Sequence, residues 1–370
     1  MKIHTLPGGD VVHHYKKSIV ITFSGKRHVL STGPNNGGYR EDLKAVFNHD
    51  ANPGAGMACV MRAPTYEGHM NIIALEDLGM DPALCSGLCT AASMKNVSIR
   101  TGSFRDLSVT AIVTGGIEHN GGRAGDPATF YEDGEDFLPL KPGTINILLH
   151  INADLDAGTL ARAMVTCTEA KTAAIGELMA PSCFSRGIAT GSGTDGTIVI
   201  CNPQSGLKLT NAGKNSKLGE LIGTTVIQGV KEALKKQSGL SPETQHDILC
   251  RMGRYGVTED TLWSAYSEGS PLLSRASFMD VLDQIRKDPV LVTCSSLYAH
   301  LLDQLDWGLL SYDEVLPACG SCLARMTGPA DPPDQIGDIT EDIARDREEQ
   351  ITRLSSIYLE KILGIIEKNS

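Results

Sequence analysis

Aromatic residues are scarce in this chain. They make up 5% of its 370 residues, with two tryptophans, whereas glycine reaches 39. Such a composition favours close backbone approach and glycine-lined loops over aromatic stacking platforms. A positive excess is lacking as well. The formal net charge of -11 argues against nucleic acid or an anionic membrane as the main partner. No apolar core segment precedes Ser18 in MKIHTLPGGDVVHHYKKS, and no later window approaches an uninterrupted membrane span, so a cytoplasmic protein is expected. In that setting the ten cysteines read as reduced thiols, not as a disulfide framework. Cys319-Gly-Ser-Cys322 is the only CxxC, and two thiols do not make a zinc site.

Familiar catalytic signatures are missing too. TGSGTDG has no Lys-Ser or Lys-Thr at phosphate-loop spacing and no dinucleotide fingerprint. Neither a GxSxG elbow nor an HExxH helix occurs. His119 and His150 form no metal spacing with a third ligand.

The hydrophobic set, 41% of the chain, is ample for a core. Residues 1–240 balance 22 acidic against 22 basic side chains, while 241–370 hold 22 against 11. A change of this kind marks a boundary, placed between a domain of 1–239 and an acidic helical region of 240–370. In the first part, apolar runs predict strands over 18–23, 96–102, 107–115, 143–151 and 197–202. Spaced apolar residues over 69–78 suggest a short helix. Helical periodicity is strong over 156–179, with Asp156 as cap and Leu160, Ala163, Met164, Cys167, Ala170, Ala174, Ile175 and Leu178 as the packed face. Thr166 and Glu169 fall on another stripe, from which both can meet one ligand. A second helix is expected over 216–237. Strand and helix in this order imply a layered α/β or α+β domain, a mixed sheet flanked by helices. The tail should be helical over 241–256, 259–268, 274–288, 296–309 and 339–367, and its acidic surface is a candidate homodimer interface.

Four polar, glycine-marked stretches follow strands or ride on the best helix: STGPNNGGY at 31–39, GGIEHNGGRAGDPA at 115–128, TEAKT at 168–172 and GIATGSGTDG at 187–196. Loops at strand ends of layered folds are where small-molecule pockets form.

GGRAGDPA, GTINI, ARAMVTCTEAKTAA, GIATGSGTDGTIV and KLGELIG, in that order, resemble the adenosylcobinamide amidohydrolase family of corrinoid salvage enzymes over roughly residues 15–238. The run GIEHNGG before RAGDP departs from the form usual in that family. The resemblance implies hydrolysis of the amide between a corrin propionate and its aminopropanol arm. It also implies a corrinoid as the small-molecule partner. Cobalt then arrives with the substrate, and no cofactor or metal of the protein's own is required.

Amide hydrolysis needs an activated nucleophile, donors for the oxyanion and an acid for the departing amine. Glu169 is the leading base on this reading, and Lys171 supplies charge to the oxyanion. His119 is an acid–base candidate. Thr194, activated by Asp195 or Lys171, is a conceivable nucleophile, although attack by water is preferred because no residue occupies a known nucleophile context. Asn35, Asn36, Glu118, Asn120, Arg123, Asp126, Thr190 and Ser192 are expected to hold the substrate, Arg123 through its planar fork of donors.

Overall fold

The computed structural model describes residues 1–54, 61–128, 143–269, 272–327 and 346–370. The chain divides into two compact units, Met1–Ser241 and Pro242–Ser370.

In the first unit the strands run β1 (Lys2–Thr5), β2 (Val11–Tyr15), β3 (Ser18–Thr22), β4 (His28–Ser31), β5 (Gly38–Arg40), β6 (Ala45–Asp50), β7 (Cys85–Thr90), β8 (Ser98–Phe104), β9 (Leu107–Gly116), β10 (Gly121–Gly122), β11 (Thr144–Ile151), β12 (Gly191–Ser192) and β13 (Gly196–Cys201). The helices of this unit are α1 (Tyr66–Ile72), α2 (Ala157–Glu177) and α3 (Lys217–Ser238). The strands form not one mixed sheet but two, of order β1-β2-β3-β6-β7 and β5-β4-β13-β11-β9-β8, with β10 and β12 as a separate ribbon. Among the described strands, only β6 with β7 and β11 with β13 are parallel pairs.

Alternation explains the stacking. Ile19, Ile21, Val46 and Leu88 of the first sheet meet Val29, Ile112, Leu148, Ile198 and Ile200 of the second in one apolar layer. The opposite side of the first sheet, with Val20, Ala45 and Phe47, is covered by Met70, Ile73 and Ala74 of α1 and its π-helical continuation. Val109, Ala111, Val113, Ile145, Ile147 and Leu149 face the other way and bury α2 and α3. The order of layers is therefore helix, sheet, sheet, helix. Strands buried on both faces read as unbroken apolar runs, so the sequence shows that they are covered but not by what.

Helix α2 corrects one expectation. Its buried side includes Thr159 and Thr166, while Met164 is only partly buried. The reason is local: the segment after β13 lies along a second stripe, and Thr166 donates to the Ala212 carbonyl at 2.8 Å. Thr166 is thereby taken away from any ligand shared with Glu169.

The second unit contains α4 (Ile248–Met252), α5 (Glu259–Glu268), α6 (Arg275–Ile285), α7 (Pro289–Asp306), α8 (Tyr312–Thr327) and α9 (Arg347–Lys368) around a core of its own. Helix α7 begins earlier than its periodicity suggests, because Asp288 caps it and Pro289 takes the first turn. Helix α8 contains Pro317 and Gly320, which masked it in the sequence. The expected helical positions 339–345, the PADPPD segment, Lys141-Pro142 and Cys59 lie outside the described residues. No helix among the described residues is long and apolar enough to cross a membrane.

Candidate active site

Two of the four glycine-marked stretches meet. The turn that leaves β9 and the turn that enters β13 pair as the ribbon, with Gly121 opposite Ser192 and Gly122 opposite Gly191. Because β11 lies between β9 and β13, its first residues emerge beside both turns. Helix α2 passes alongside and contributes Lys171 and Thr172.

Asp195 is the hub. Its Oδ1 accepts from the Ile145 N–H at 2.9 Å and the Ser192 hydroxyl at 2.7 Å, and its Oδ2 accepts from the Ser192 N–H at 3.0 Å. The Lys171 ammonium completes the set in an ion pair whose side chains are only 11% and 13% exposed. Both oxygens of this carboxylate are thus engaged, by four donors in all. Its work is to hold the turn, the start of β11 and α2 in one register. A Cβ at Gly191 would lie 2.3 Å from Asp195 Oδ2 and 2.6 Å from Lys171 Nζ, so a side chain there would push the ion pair aside.

Beside the hub sits a group of hydroxyls and one amide. Exposed Thr194 donates from Oγ1 to the Gly143 carbonyl at 2.8 Å, and Asn120 Nδ2 donates to the same oxygen at 2.9 Å. Thr144 Oγ1 is hydrogen-bonded to Thr194 Oγ1. Beneath them, Asn146 Nδ2 donates to Asn48 Oδ1 at 2.8 Å and to the Cys89 carbonyl at 2.9 Å, while Asn48 Nδ2 donates to Thr114 Oγ1 at 2.8 Å. This buried amide network ties the end of the first sheet to the floor of the site.

Other expected residues shape the loops. Thr190 Oγ1 accepts from the Ala124 N–H at 2.9 Å, and the Thr190 carbonyl accepts from Thr172 Oγ1 at 3.0 Å. Asp126 accepts from the Arg123 N–H at 2.7 Å and from Ser182 Oγ at 2.6 Å. Burial pushes the Asp126 carboxyl up, but its hydrogen bonds from Ser182 and Ser185 outweigh this and hold it below the usual carboxylate range. Glu118, His119 and Arg123 stand exposed on the β9 side of the ribbon.

Three expected residues do not join them. Glu169 points to solvent and pairs with Lys214 at 3.0 Å, with 41% of its side chain exposed. It lies two positions from Lys171, so the helix sends the two side chains in different directions. Asn35 is fully buried: its Oδ1 accepts from the Gly87 N–H at 2.9 Å and its Nδ2 donates to the Cys85 carbonyl at 3.3 Å. Asn36 Nδ2 donates to the carbonyls of Pro82 at 2.6 Å and Cys85 at 2.7 Å, and its Oδ1 accepts from Arg40 at 2.8 Å. Both amides fasten the β4–β5 turn to β7, away from the group around Asp195. Sequence reading missed Gly143, Thr144, Asn146 and Asn48. The signal available was a polar residue inside an otherwise apolar strand, as in GTINILLHI and AVFNHD.

Among the described residues no group of three His, Cys, Asp or Glu side chains is arranged to hold a metal ion.

A model of the family described as CbiZ, adenosylcobinamide amidohydrolase, matches residues 3–242. An uncharacterized protein of Methanocaldococcus jannaschii, MJ1613, is 36% identical over 233 residues, covering 60% of this chain and 87% of that protein. A Methanosarcina mazei protein described as adenosylcobinamide amidohydrolase is 28% identical over 232 residues, covering 60% of this chain and 97% of that one. Among solved structures, the PH0078 protein from Pyrococcus horikoshii OT3 aligns with 70% of this chain and 90% of its own at 12% identity and a TM-score of 0.32, too low to bear on the fold.

Proposed function

Because the chain belongs to the adenosylcobinamide amidohydrolase family, we propose that it hydrolyses the amide between a corrin-ring propionate and the aminopropanol arm of adenosylcobinamide, releasing adenosylcobyric acid. The observation that carries this reading is the pair of donors from Asn120 and Thr194 that converge on one peptide carbonyl oxygen. Two donors aimed at an amide oxygen are what a tetrahedral intermediate needs as charge develops on it.

In this reading Asn120 and Thr194 contact the reacting carbonyl. Lys171 and Asp195 position the turn that carries Thr194. His119 delivers a proton to the leaving amine, while Glu118 and Arg123 grip the amide-rich rim of the corrin. Ser192 and Thr190 keep the β12 turn in shape. Glu169 stays outside the chemistry. Cobalt enters with the substrate, and the reaction as written uses water and no cofactor of the protein.

Mass spectrometry of the products is the test. Incubation of the full chain with adenosylcobinamide should yield adenosylcobyric acid and free aminopropanol. A spectral shift on binding, with the arm intact after long incubation, would refute hydrolysis and leave a corrinoid-binding protein.

A further inference from the structure

We propose that the chain cuts its own backbone between Gly143 and Thr144, and that the freed Thr144 hydroxyl is the nucleophile for the substrate amide. The second half rests on the hydrolytic reading above; the first does not.

The carbonyl that receives the Asn120 and Thr194 donors belongs to the peptide bond immediately before Thr144. The hydroxyl beyond that bond, Thr144 Oγ1, is hydrogen-bonded to Thr194 Oγ1, which donates onward to the Gly143 oxygen. A continuous path therefore runs from a nucleophilic hydroxyl through a second hydroxyl to the oxygen that would take negative charge. Asp195 fixes the following residue by accepting from the Ile145 N–H at 2.9 Å. Gly143 is seated as only glycine allows. Its φ is 151°, and a Cβ there would lie 2.8 Å from Asn120 Cβ and 3.2 Å from the Gly116 carbonyl oxygen. Thr144 is 6% exposed in the intact chain, so its hydroxyl reaches an external amide only after the bond that covers it is cut.

The chemistry balances with water as the sole co-reactant. Thr144 Oγ1 adds to the Gly143 carbonyl carbon, the C–N bond breaks, and the hydroxyl proton passes to the Thr144 nitrogen, leaving an ester. Water then cleaves the ester to give a Gly143 carboxylate and a threonine with a free hydroxyl and a free α-amine. An N-terminal amine next to a threonine hydroxyl is a general base for that hydroxyl. With a substrate, the same oxygen attacks the propionate amide, aminopropanol leaves, and water releases the acid.

The full chain, purified without corrinoid, is followed by intact mass and N-terminal sequencing over days. Two fragments are expected, 1–143 and 144–370, the second beginning with Thr144. Thr144→Ala should stay uncut and Thr144→Ser should cut, with matching circular dichroism as the control for folding. Asn120→Ala and Thr194→Val should slow the cut at least tenfold. A wild-type chain that stays whole, or is cut elsewhere, overturns the proposal whether or not it acts on corrinoids. A chain cut at Thr144 that leaves adenosylcobinamide untouched preserves self-cleavage and instead removes the functional reading.

Discussion

Two ion pairs, one buried and one partly buried, stand at opposite ends of the second sheet and invite comparison. At the end of β11 and β13, Arg27 grips Asp10 with two hydrogen bonds of 2.8 Å, His150 Nε2 lies 3.2 Å from the same carboxylate, and all three side chains are buried. At the start of β11 and β13, Asp195 and Lys171 are paired just as closely, yet exposed Thr194 lies next to them. Both carboxylates also take backbone N–H donors. Pairing alone therefore does not separate scaffold from site. What differs is whether a reactive neighbour can meet solvent.

The sharpest break of this comparison is a pair of single substitutions. Asp10→Ala leaves Arg27 buried and unpaired, which should cost about 3–5 kcal/mol of stability; urea melts would show it. Asp195→Asn should instead fold with a modest loss of stability, while the catalytic constant falls by about 100 to 1,000, the scale seen when transition-state stabilisation is removed. If D195N unfolds as readily as D10A, both ends are scaffold.

Thr194→Val with Asn120→Ala removes both donors and should lower the catalytic constant by about 100-fold or more, with substrate affinity little changed. Arg123→Ala should move the other constant, raising KM several-fold at a nearly constant kcat, because it grips the substrate equally before and during reaction. Steady-state kinetics on the two variants separate these roles.

Acid should weaken the Asp10 end of the sheet. Burial pushes the Asp10 carboxyl up, but hydrogen bonds from His150, Arg27 and the Ser24 N–H outweigh it and leave the group below its ordinary value. The stability it contributes is complete above the unfolded value of roughly 3.9 and is lost as pH falls through the folded one. Melting temperature should drop in that window, and Asp10→Asn should flatten the drop. The smallest effect belongs to Glu169→Gln. Its partner is Lys214 on an exposed surface, so turnover should stay within about twofold of wild type; surface pairs contribute only about 0–1 kcal/mol.

How much of this was legible beforehand depends on what each residue had to reveal. Composition placed polar loops at strand ends, and two of them, around Asn120 and Asp195, do meet. Helical periodicity located α2 and α3 because one apolar stripe per helix suffices for that. Direction along a helix was harder. Glu169 and Lys171 look equivalent in TEAKT, and only the position of the β13 turn sends Lys171 to Asp195. Asn35 and Asn36 read as ligand donors because nothing local reveals that β7 lies beneath them. Gly143 and Thr144 passed as an ordinary strand start, since a carbonyl's donors are set by residues distant in sequence. The doubling of the sheet was hidden for the same reason: short strands such as HVLS carry too little pattern to announce a partner.

The ribbon itself has a consequence for how the protein fails. Two backbone pairs, three of whose four residues are glycines, join turns about seventy positions apart. The clasp is backed by a few polar contacts, chiefly those of Asp195 with Ser192, and small elements held in this way open at free energies well below that of the whole fold. On slow warming, activity should fade before the sheets melt, and the amides of Gly121 and Gly122 should exchange with deuterium ahead of those in β9 and β11. The working end would then be reversibly unclasped in a molecule that is still folded, and cooling would restore it.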